Sequence, residues 1–366
     1  MPALILVWVL LATEACRDGP PPQRREPRTT RRTPVVDASI PSSPSPVPRR
    51  AAVFPRYRPP KQLRVRFFSA GHADSILLRT PSGHTVLIDA GLGSEMILGE
   101  NLVQRRIVPF CKRLGIARLD AFVITHPHLD HVGDPITLQR ELGVNKIYVN
   151  TDGLQLVGNV LRNLAPGLSF ELLHRGRTLR FGRLTLEVLH PPKDIRPKLV
   201  ERSLYRQNTR SMVIRARFGR RAFLLAADAM QLTEAHILRA KLALRADVLK
   251  LGHHGVKTTS YAWLAAISPR YAVASMGART RQRLDELPQR IRKQLRRRGI
   301  KLLRTDLDGD VEFATDGDLL TVETHPELAR LPDWAPKHRR EAVQRRIAAK
   351  RAGRAGRAGR ARPVGP

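Results

Sequence analysis

Four side chains able to bind a metal stand within six residues, at His126, His128, Asp130 and His131, directly after the apolar run of residues 121–124. Imidazole nitrogens mixed with a carboxylate oxygen suit zinc or manganese, whereas calcium or magnesium would ask for oxygens nearly throughout. Pro127 biases His126 toward extended backbone, where positions i and i+2 point the same way, so His126 and His128 can grip one ion together. Asp130 and His131 are adjacent and must diverge, so they are expected to serve a second ion close by, with a water bridging the pair. A solvated loop of ordinary histidines is the competing reading, and it suits a lone histidine better than four donors at this spacing.

Two ions need further ligands, and the ends of two other apolar runs offer them. Residues 222–227 read as a buried strand and Asp228 follows at once, making it the candidate bridging carboxylate. Residues 246–251 form another short strand, closed by Gly252-His253-His254-Gly255, where glycine lets the backbone come close to a ligand. One of these two histidines is expected to complete the second ion. Ligands at the carboxyl ends of separate strands converge on one rim of a sheet, the usual place for a site in an open α/β sheet. Taken alone, Asp228 would be a strand-end turn residue and His253 a surface histidine; the joint pattern outweighs both.

The elements that must position these groups begin near Leu63. Residues 64–68, 75–79 and 85–89 alternate or run apolar as strands, the last two joined as a hairpin through Pro81-Ser82-Gly83. Helical periodicity spans Met96 to Leu114 with Gly115 as its stop, and returns around Thr233 to Leu244 and Leu284 to Arg298. A second strand-rich half starts near Leu179. Asp306-Leu307-Asp308-Gly309-Asp310 looks like a calcium loop but lacks the glycine at the sixth position that an EF-hand requires, so a hairpin turn is expected there. Cys111, in an apolar helical stretch, reads as buried packing.

With these residues in hand, Thr125 to His131 is similar to the HxHxDH signature of the metallo-β-lactamase superfamily. The wider pattern resembles one branch of it, the hydrolase domain of the ComEC/Rec2 competence proteins. That pattern comprises Phe67-Phe68-Ser69-Ala70-Gly71-His72-Ala73-Asp74-Ser75, Val86-Leu87-Ile88-Asp89-Ala90-Gly91, Leu119-Asp120, Ala227-Asp228, Gly252-His253-His254-Gly255 and Arg304-Thr305-Asp306. The resemblance implies an α/β fold, a four-layer αββα sandwich over residues 63–325, and hydrolysis of a phosphoester by two divalent ions. It assigns His126 and His128 to the first ion, Asp130, His131 and His254 to the second, and Asp228 to the bridge. Asp130 then acts as a ligand at the catalytic centre, His253 faces substrate, and Asp74 falls on the branch's recurrent pocket aspartate. A turn carboxylate capping the next element is the alternative for Asp74.

The chain departs from the family in two places. Where many members carry another histidine it reads Gln207-Asn208-Thr209, so the first ion is expected to have fewer protein ligands, with Asn208 nearby. His190 is the nearest substitute and reads as a strand-end residue. The Asn-x-Tyr-Gly-His-Pro run common in the branch is replaced by Ala278-Arg279-Thr280-Arg281, so substrate contacts inherited from that run do not carry over.

Composition adds the flanking segments. Residues 3–12 are apolar but too short to cross a bilayer. Followed by Thr13-Glu14-Ala15-Cys16, they read as a signal sequence (1–16) ending in a lipoprotein cysteine, hence export and an envelope or periplasmic location with a membrane anchor on Cys16. Residues 17–62, rich in Pro, Arg, Ser and Thr, read as a disordered tether. Residues 326–366 read as a basic low-complexity tail: from Lys337 onward there are eleven Lys or Arg against Glu341 alone. Net charge is +33, which favours a polyanionic partner such as single-stranded DNA by counterion release, though biased coding could produce the same tail. The expected function is a phosphodiesterase or nuclease acting on DNA at the envelope. The alternatives are hydrolysis of a small phosphoester or lactone, and a basic DNA-binding envelope protein with a degenerate metal site.

Overall fold

The computed structural model describes residues 55–93, 101–158, 161, 168–194, 206–256, 258–277, 286–329 and 335–358. The expected signal sequence, Cys16 and nearly all of the tether lie outside them. Among the described residues no helix is long and apolar enough to cross a membrane.

Among the described residues, fifteen strands form two sheets. One takes β1 (Leu63–Phe67), β2 (Ser75–Arg79), β3 (Thr85–Ala90), β4 (Ala121–Ile124), β5 (Ile147–Val149), β6 (Phe170–Leu172), β14 (Asp310–Thr315) and β15 (Leu320–His325), in the order β15-β14-β1-β2-β3-β4-β5-β6. The other takes β7 (Thr178–Phe181), β8 (Leu184–His190), β9 (Val213–Phe218), β10 (Arg221–Leu225), β11 (Val248–Lys250), β12 (Tyr271–Ala274) and β13 (Lys301–Arg304), in the order β13-β12-β11-β10-β9-β8-β7. Side chains alternate across a strand, so one set from each sheet can share a core. Val65, Phe67, Ile76, Leu78, Val86 and Val123 of the first sheet pack with Leu186, Ile214, Phe223, Leu225 and Val248 of the second. The alternate residues Leu224, Leu249, Ala272 and Ala274 face a helical layer carrying Ile237, Trp263, Ile267, Ile291 and Leu295. The outward set of the first sheet, Leu77, Leu87 and Phe122, is also buried. Both faces of the central strands are therefore covered, the αββα arrangement anticipated from the sequence.

Local outcomes follow the sequence, with corrections to element ends, to one turn and to the basic end. The expected helix over 96–114 is described as Val103–Ile107 running into Val108–Arg113, with Gly115 at φ 77° ending it; residues 96–100 lie outside the description. That glycine is obligatory, since a Cβ would stand 2.0 Å from the Pro55 carbonyl oxygen, so the end of the expected tether packs on the domain. The helix expected over 233–244 is Gln231–Arg239, broken where Lys241 turns left-handed at φ 51°, and the later one is Gln289–Arg297, entered through Pro288. The supposed hairpin turn at 306–310 is instead one helical turn, Thr305–Asp308, that carries the chain from β13 in the second sheet to β14 in the first. A hairpin needs neighbouring strands, and these two belong to different layers.

The last correction concerns the basic end. Residues Lys337–Ala358 form a helix whose Arg339 reaches Asp306 at 3.1 Å, Arg346 reaches Asp308 at 2.7 Å and Lys350 reaches Glu327 at 3.3 Å. Cations spaced for one helical face thus meet carboxylates of the Thr305–Asp308 turn and the segment after β15, while Arg340, Arg345 and Arg351 stay exposed. Low complexity hid this amphipathic pattern.

Candidate metal centre

Both sheets aim carboxyl ends of parallel strands at one rim. β3 and β4 are parallel in the first sheet, and β10, β11 and β12 in the second. Beyond β4, the Thr125 backbone N–H donates to one Asp89 oxygen at 2.8 Å and its hydroxyl to the other at 2.8 Å. Asp89, next to last in β3, takes a left-handed conformation, φ 53°, and also binds His131 Nδ1 at 2.7 Å. Across the rim, Ala227 (φ 42°) leads to Asp228, and its carbonyl accepts from the His253 backbone N–H at 2.9 Å. His253 and His254 themselves hold φ 44° and 53°. Non-glycine residues in this region each cost on the order of 1–3 kcal/mol, and their gathering at one rim marks a place where the fold gives up stability for geometry.

The side chains converge. Asp228 Oδ1 lies 3.2 Å from His131 Nε2 and 3.5 Å from His254 Nε2, while Asp228 Oδ2 lies 3.7 Å from His126 Nε2. His254 Nε2 is 3.4 Å from Asp130 Oδ2. Donor atoms about 2.0–2.1 Å from a tetrahedral ion stand roughly 3.3 Å from one another, close to these separations. Within 4.8 Å, His126, His131 and Asp228 form one group and His72, Asp130 and His254 another. A third and a fourth group draw in Asp74, with Asp89 and His131 and with Asp228 and His254.

The chemistry of the donors fits divalent cations. His131 Nδ1 is held by Asp89, and His254 Nδ1 donates to the Ser275 carbonyl at 3.0 Å. His126 Nδ1 meets the Thr125 hydroxyl at 3.2 Å. Each partner leaves Nε2 facing the cluster, the hydrogen-bond support behind the ring that metal-binding imidazoles show. The Nε2 atoms of His126, His131 and His254 and Asp228 Oδ1 are buried without a hydrogen-bond partner among the described residues. Four orphaned buried polar atoms in one spot require an explanation, and bound cations supply it.

Electrostatics point the same way. Burial resists protonation of His131, yet Asp228, Asp89 and Asp130 hold its imidazole well above the ordinary range. Burial would raise Asp228, but His131 and His254 hold its carboxyl well below the usual carboxylate range. His126 is pushed well down by burial and by the neighbouring His131 and His128 rings. Burial lowers His128 despite a hydrogen bond with Gln207. His253, nearer the mouth, is pushed down to about 4 by burial.

The eight residues expected from sequence as ligands or pocket groups, His126, His128, Asp130, His131, Asp228, His253, His254 and Asp74, reach this rim. The His128 ring lies 4.6 Å from that of His126, and His253 Nε2 lies 3.9 Å from Asp228 Oδ2. The grouping differs from the expected pairing in one respect: His131 stands with His126 and Asp228, while Asp130 turns to His254. Asp74 is no capping carboxylate; it forms an ion pair with the fully buried Lys250. Asn208 is buried beside the site segment, with its Oδ1 unpartnered among the described residues. Sequence reasoning missed roles for His72, Asp89 and Lys250. A lysine inside the apolar run Val248-Leu249-Lys250-Leu251 was the readable signal for the last of these.

His190 is the strand-end residue expected, donating from Nε2 to the Thr209 carbonyl at 2.8 Å. Burial lowers its pKa from 6.5 to about 3. Between these values the unfolded imidazole is protonated and the folded one is not, so its contribution is present above the unfolded value and lost as pH falls. His190→Gln is expected to flatten the acid limb of stability by roughly 1.4 kcal/mol per pH unit between those limits. Urea midpoints of both proteins from pH 4 to 7 check this; parallel curves would refute the assignment.

Comparison with known proteins agrees with the geometry. Residues 69–197 match the metallo-β-lactamase superfamily. ComE operon protein 3 of Bacillus subtilis is 27% identical over 278 residues, covering 72% of this chain and 34% of that protein. Competence protein ComA of Neisseria gonorrhoeae is 30% identical over 273 residues, again 72% of this chain and 34% of that protein. The chain thus spans about a third of the length of these curated relatives. Among solved structures, the metallo-β-lactamase fold protein YhfI of Bacillus subtilis aligns with TM-score 0.42 at 12% identity, over 66% of this chain and 95% of that one. The chain carries a metallo-β-lactamase superfamily hydrolase domain, and that domain resembles the ComEC/Rec2 competence proteins.

Proposed function

We propose that the chain is a metal-dependent phosphodiesterase or nuclease acting on DNA, single-stranded DNA above all, at the cell envelope. One observation carries the reading: two groups of nitrogen and oxygen donors face each other across Asp228, with His131 at 3.2 Å and His254 at 3.5 Å from the same carboxylate oxygen. His126, His128, His131 and Asp228 would hold one ion, and Asp130 and His254 the other, with Asp228 shared. When bound, two zinc or manganese ions supply a nucleophilic water at neutral pH and neutralise charge on a phosphoryl group.

The remaining work falls to this chain. Asp130, drawn to His254 and His131, serves as a ligand and is no free base. His253, held near 4, is neutral at pH 7, so it offers a hydrogen bond to a phosphoryl oxygen at the mouth of the site. The exposed basic face of Lys337–Ala358 and that of Gln289–Arg297, with Arg292, Arg296 and Arg297 outward, favour a polyanion. Likeness to proteins named for competence and recombination supports DNA as substrate; the envelope location and a lipid anchor on Cys16 belong to the same proposal.

The test is the full chain stripped of metal, refilled with zinc or manganese, and offered single-stranded DNA, duplex DNA, a generic phosphodiester, a lactone and a lactam. Metal-dependent cleavage of single-stranded DNA, abolished by chelator, is expected. Turnover of the lactone or lactam alone would overturn the proposal in favour of a small-molecule hydrolase. DNA affinity with no bound metal would overturn it in favour of a basic binding protein.

A further inference from the structure

The loop between β1 and β2 brings a histidine to the rim that no part of the HxHxDH pattern announces. We propose that His72 is a ligand of the second ion, completing with Asp130 and His254 a protein set in which it takes the place of His131, which stands instead with His126 and Asp228. This rests on the dinuclear reading above, and with Asp228 shared it gives each ion four protein donors.

The loop is fixed before any ion arrives. The Ser69 backbone N–H donates to Asp310 at 2.8 Å, its hydroxyl to the Thr305 carbonyl at 2.9 Å, and Arg106 donates to the Ser69 carbonyl at 3.0 Å. On the other side the Asp74 backbone N–H donates to the Asp130 carbonyl at 3.1 Å, tying this loop to the one that bears the ligands. Gly71 and Gly277 lie against each other so closely that a Cβ on Gly277 would stand 2.4 Å from Gly71 Cα. That approach sets His72 beside His254, whose Nδ1 is engaged by Ser275, two residues before Gly277.

Three features then point to a ligand role. The His72 and His254 rings are 4.1 Å apart but tilted by 46°, which lets a nitrogen of each face common ground. His72, Asp130 and His254 each offer an atom within 4.8 Å of the others. His254 Nε2 is fully buried, has no hydrogen-bond partner among the described residues and stands 3.4 Å from Asp130 Oδ2, near a tetrahedral edge of roughly 3.3 Å. His72 itself is part-exposed, so it closes the set from the solvent side and its replacement leaves the core untouched.

The test counts and characterises bound metal and does not depend on turnover. Full-length wild type, His72→Gln and His72→Asp are dialysed against zinc at fixed free concentration and analysed by elemental mass spectrometry. The same proteins loaded with cobalt(II) are compared by their visible spectra. Two ions are expected in the wild type; His72→Gln should hold the second at least about 10-fold to 100-fold more weakly and show an altered cobalt spectrum. His72→Asp, which restores a donor, should recover much of the affinity. Matching apo thermal melts establish that the variants fold. A His72→Gln protein with two ions at unchanged affinity and spectrum overturns the His72 assignment alone. A wild type with fewer than two ions overturns the dinuclear reading, and this inference with it.

Discussion

Asp228→Ala leaves a folded protein with turnover reduced at least about 10³-fold, a loss of several kcal/mol of transition-state stabilisation. The size of the effect follows from the position of one carboxylate. Its two oxygens face His131, His254 and His126 at 3.2, 3.5 and 3.7 Å, so both donor groups lose their shared member at once. Removing an end ligand such as His128 would weaken one ion; removing Asp228 weakens both. It also takes away the carboxylate that does most to keep His131 protonatable in its buried setting. The fold is expected to survive, because Asp228 lies beyond the end of β10 and a small side chain follows Ala226 and Ala227 without overpacking. Phosphodiester turnover, metal content and far-ultraviolet circular dichroism, measured on Asp228→Ala and His128→Ala side by side, settle it. Undiminished hydrolysis by both variants would remove the site from consideration.

Asp228 could be found from sequence because its signal is local: an apolar strand that ends in a carboxylate. The same holds for His126 to His131 and for the His253-His254 pair. The layered fold was legible for a related reason, since strands buried on both faces read as continuous apolar runs and their carboxyl ends carry the chemistry. What stayed hidden depends on distances across the chain. Asp89 acts through Thr125 and His131, 36 and 42 residues away, and nothing in its own neighbourhood tells a carboxylate that orients a ligand from a strand-end turn. Asp306 and Asp308 read as turn residues because their partners, Arg339 and Arg346, belong to a segment whose repeats suggested no structure. Lys241 ended a helix that periodicity would have continued, for periodicity reports the buried face and says little about where the backbone turns left-handed.

Lys250→Met should be the most destabilising single change in the second sheet, at about 3–5 kcal/mol. Lys250 closes β11 with no exposed surface, and its ammonium group pairs with Asp74, 176 residues earlier, while donating to the Ala227 carbonyl at 2.8 Å. Methionine fills the same space, so the loss comes from leaving the Asp74 carboxylate buried without its cation, not from a cavity. Neutralising both partners in Asp74→Asn/Lys250→Met removes that charge and should recover most of the stability, because a buried ion pair contributes little beyond what neutral groups of similar shape provide. A second consequence separates this reading from simple packing. Asp74 stands within ligand distance of Asp228 and His254, and in the single variant it is released to bind a divalent ion that Lys250 otherwise displaces. Zinc or manganese should therefore raise the urea midpoint of Lys250→Met by more than that of the wild type, with the increment growing as the logarithm of free metal. The double variant should respond like the wild type. If the single and double variants unfold at the same urea concentration, with equal responses to metal, Lys250 is a packing residue and its charge has no part in ordering the centre.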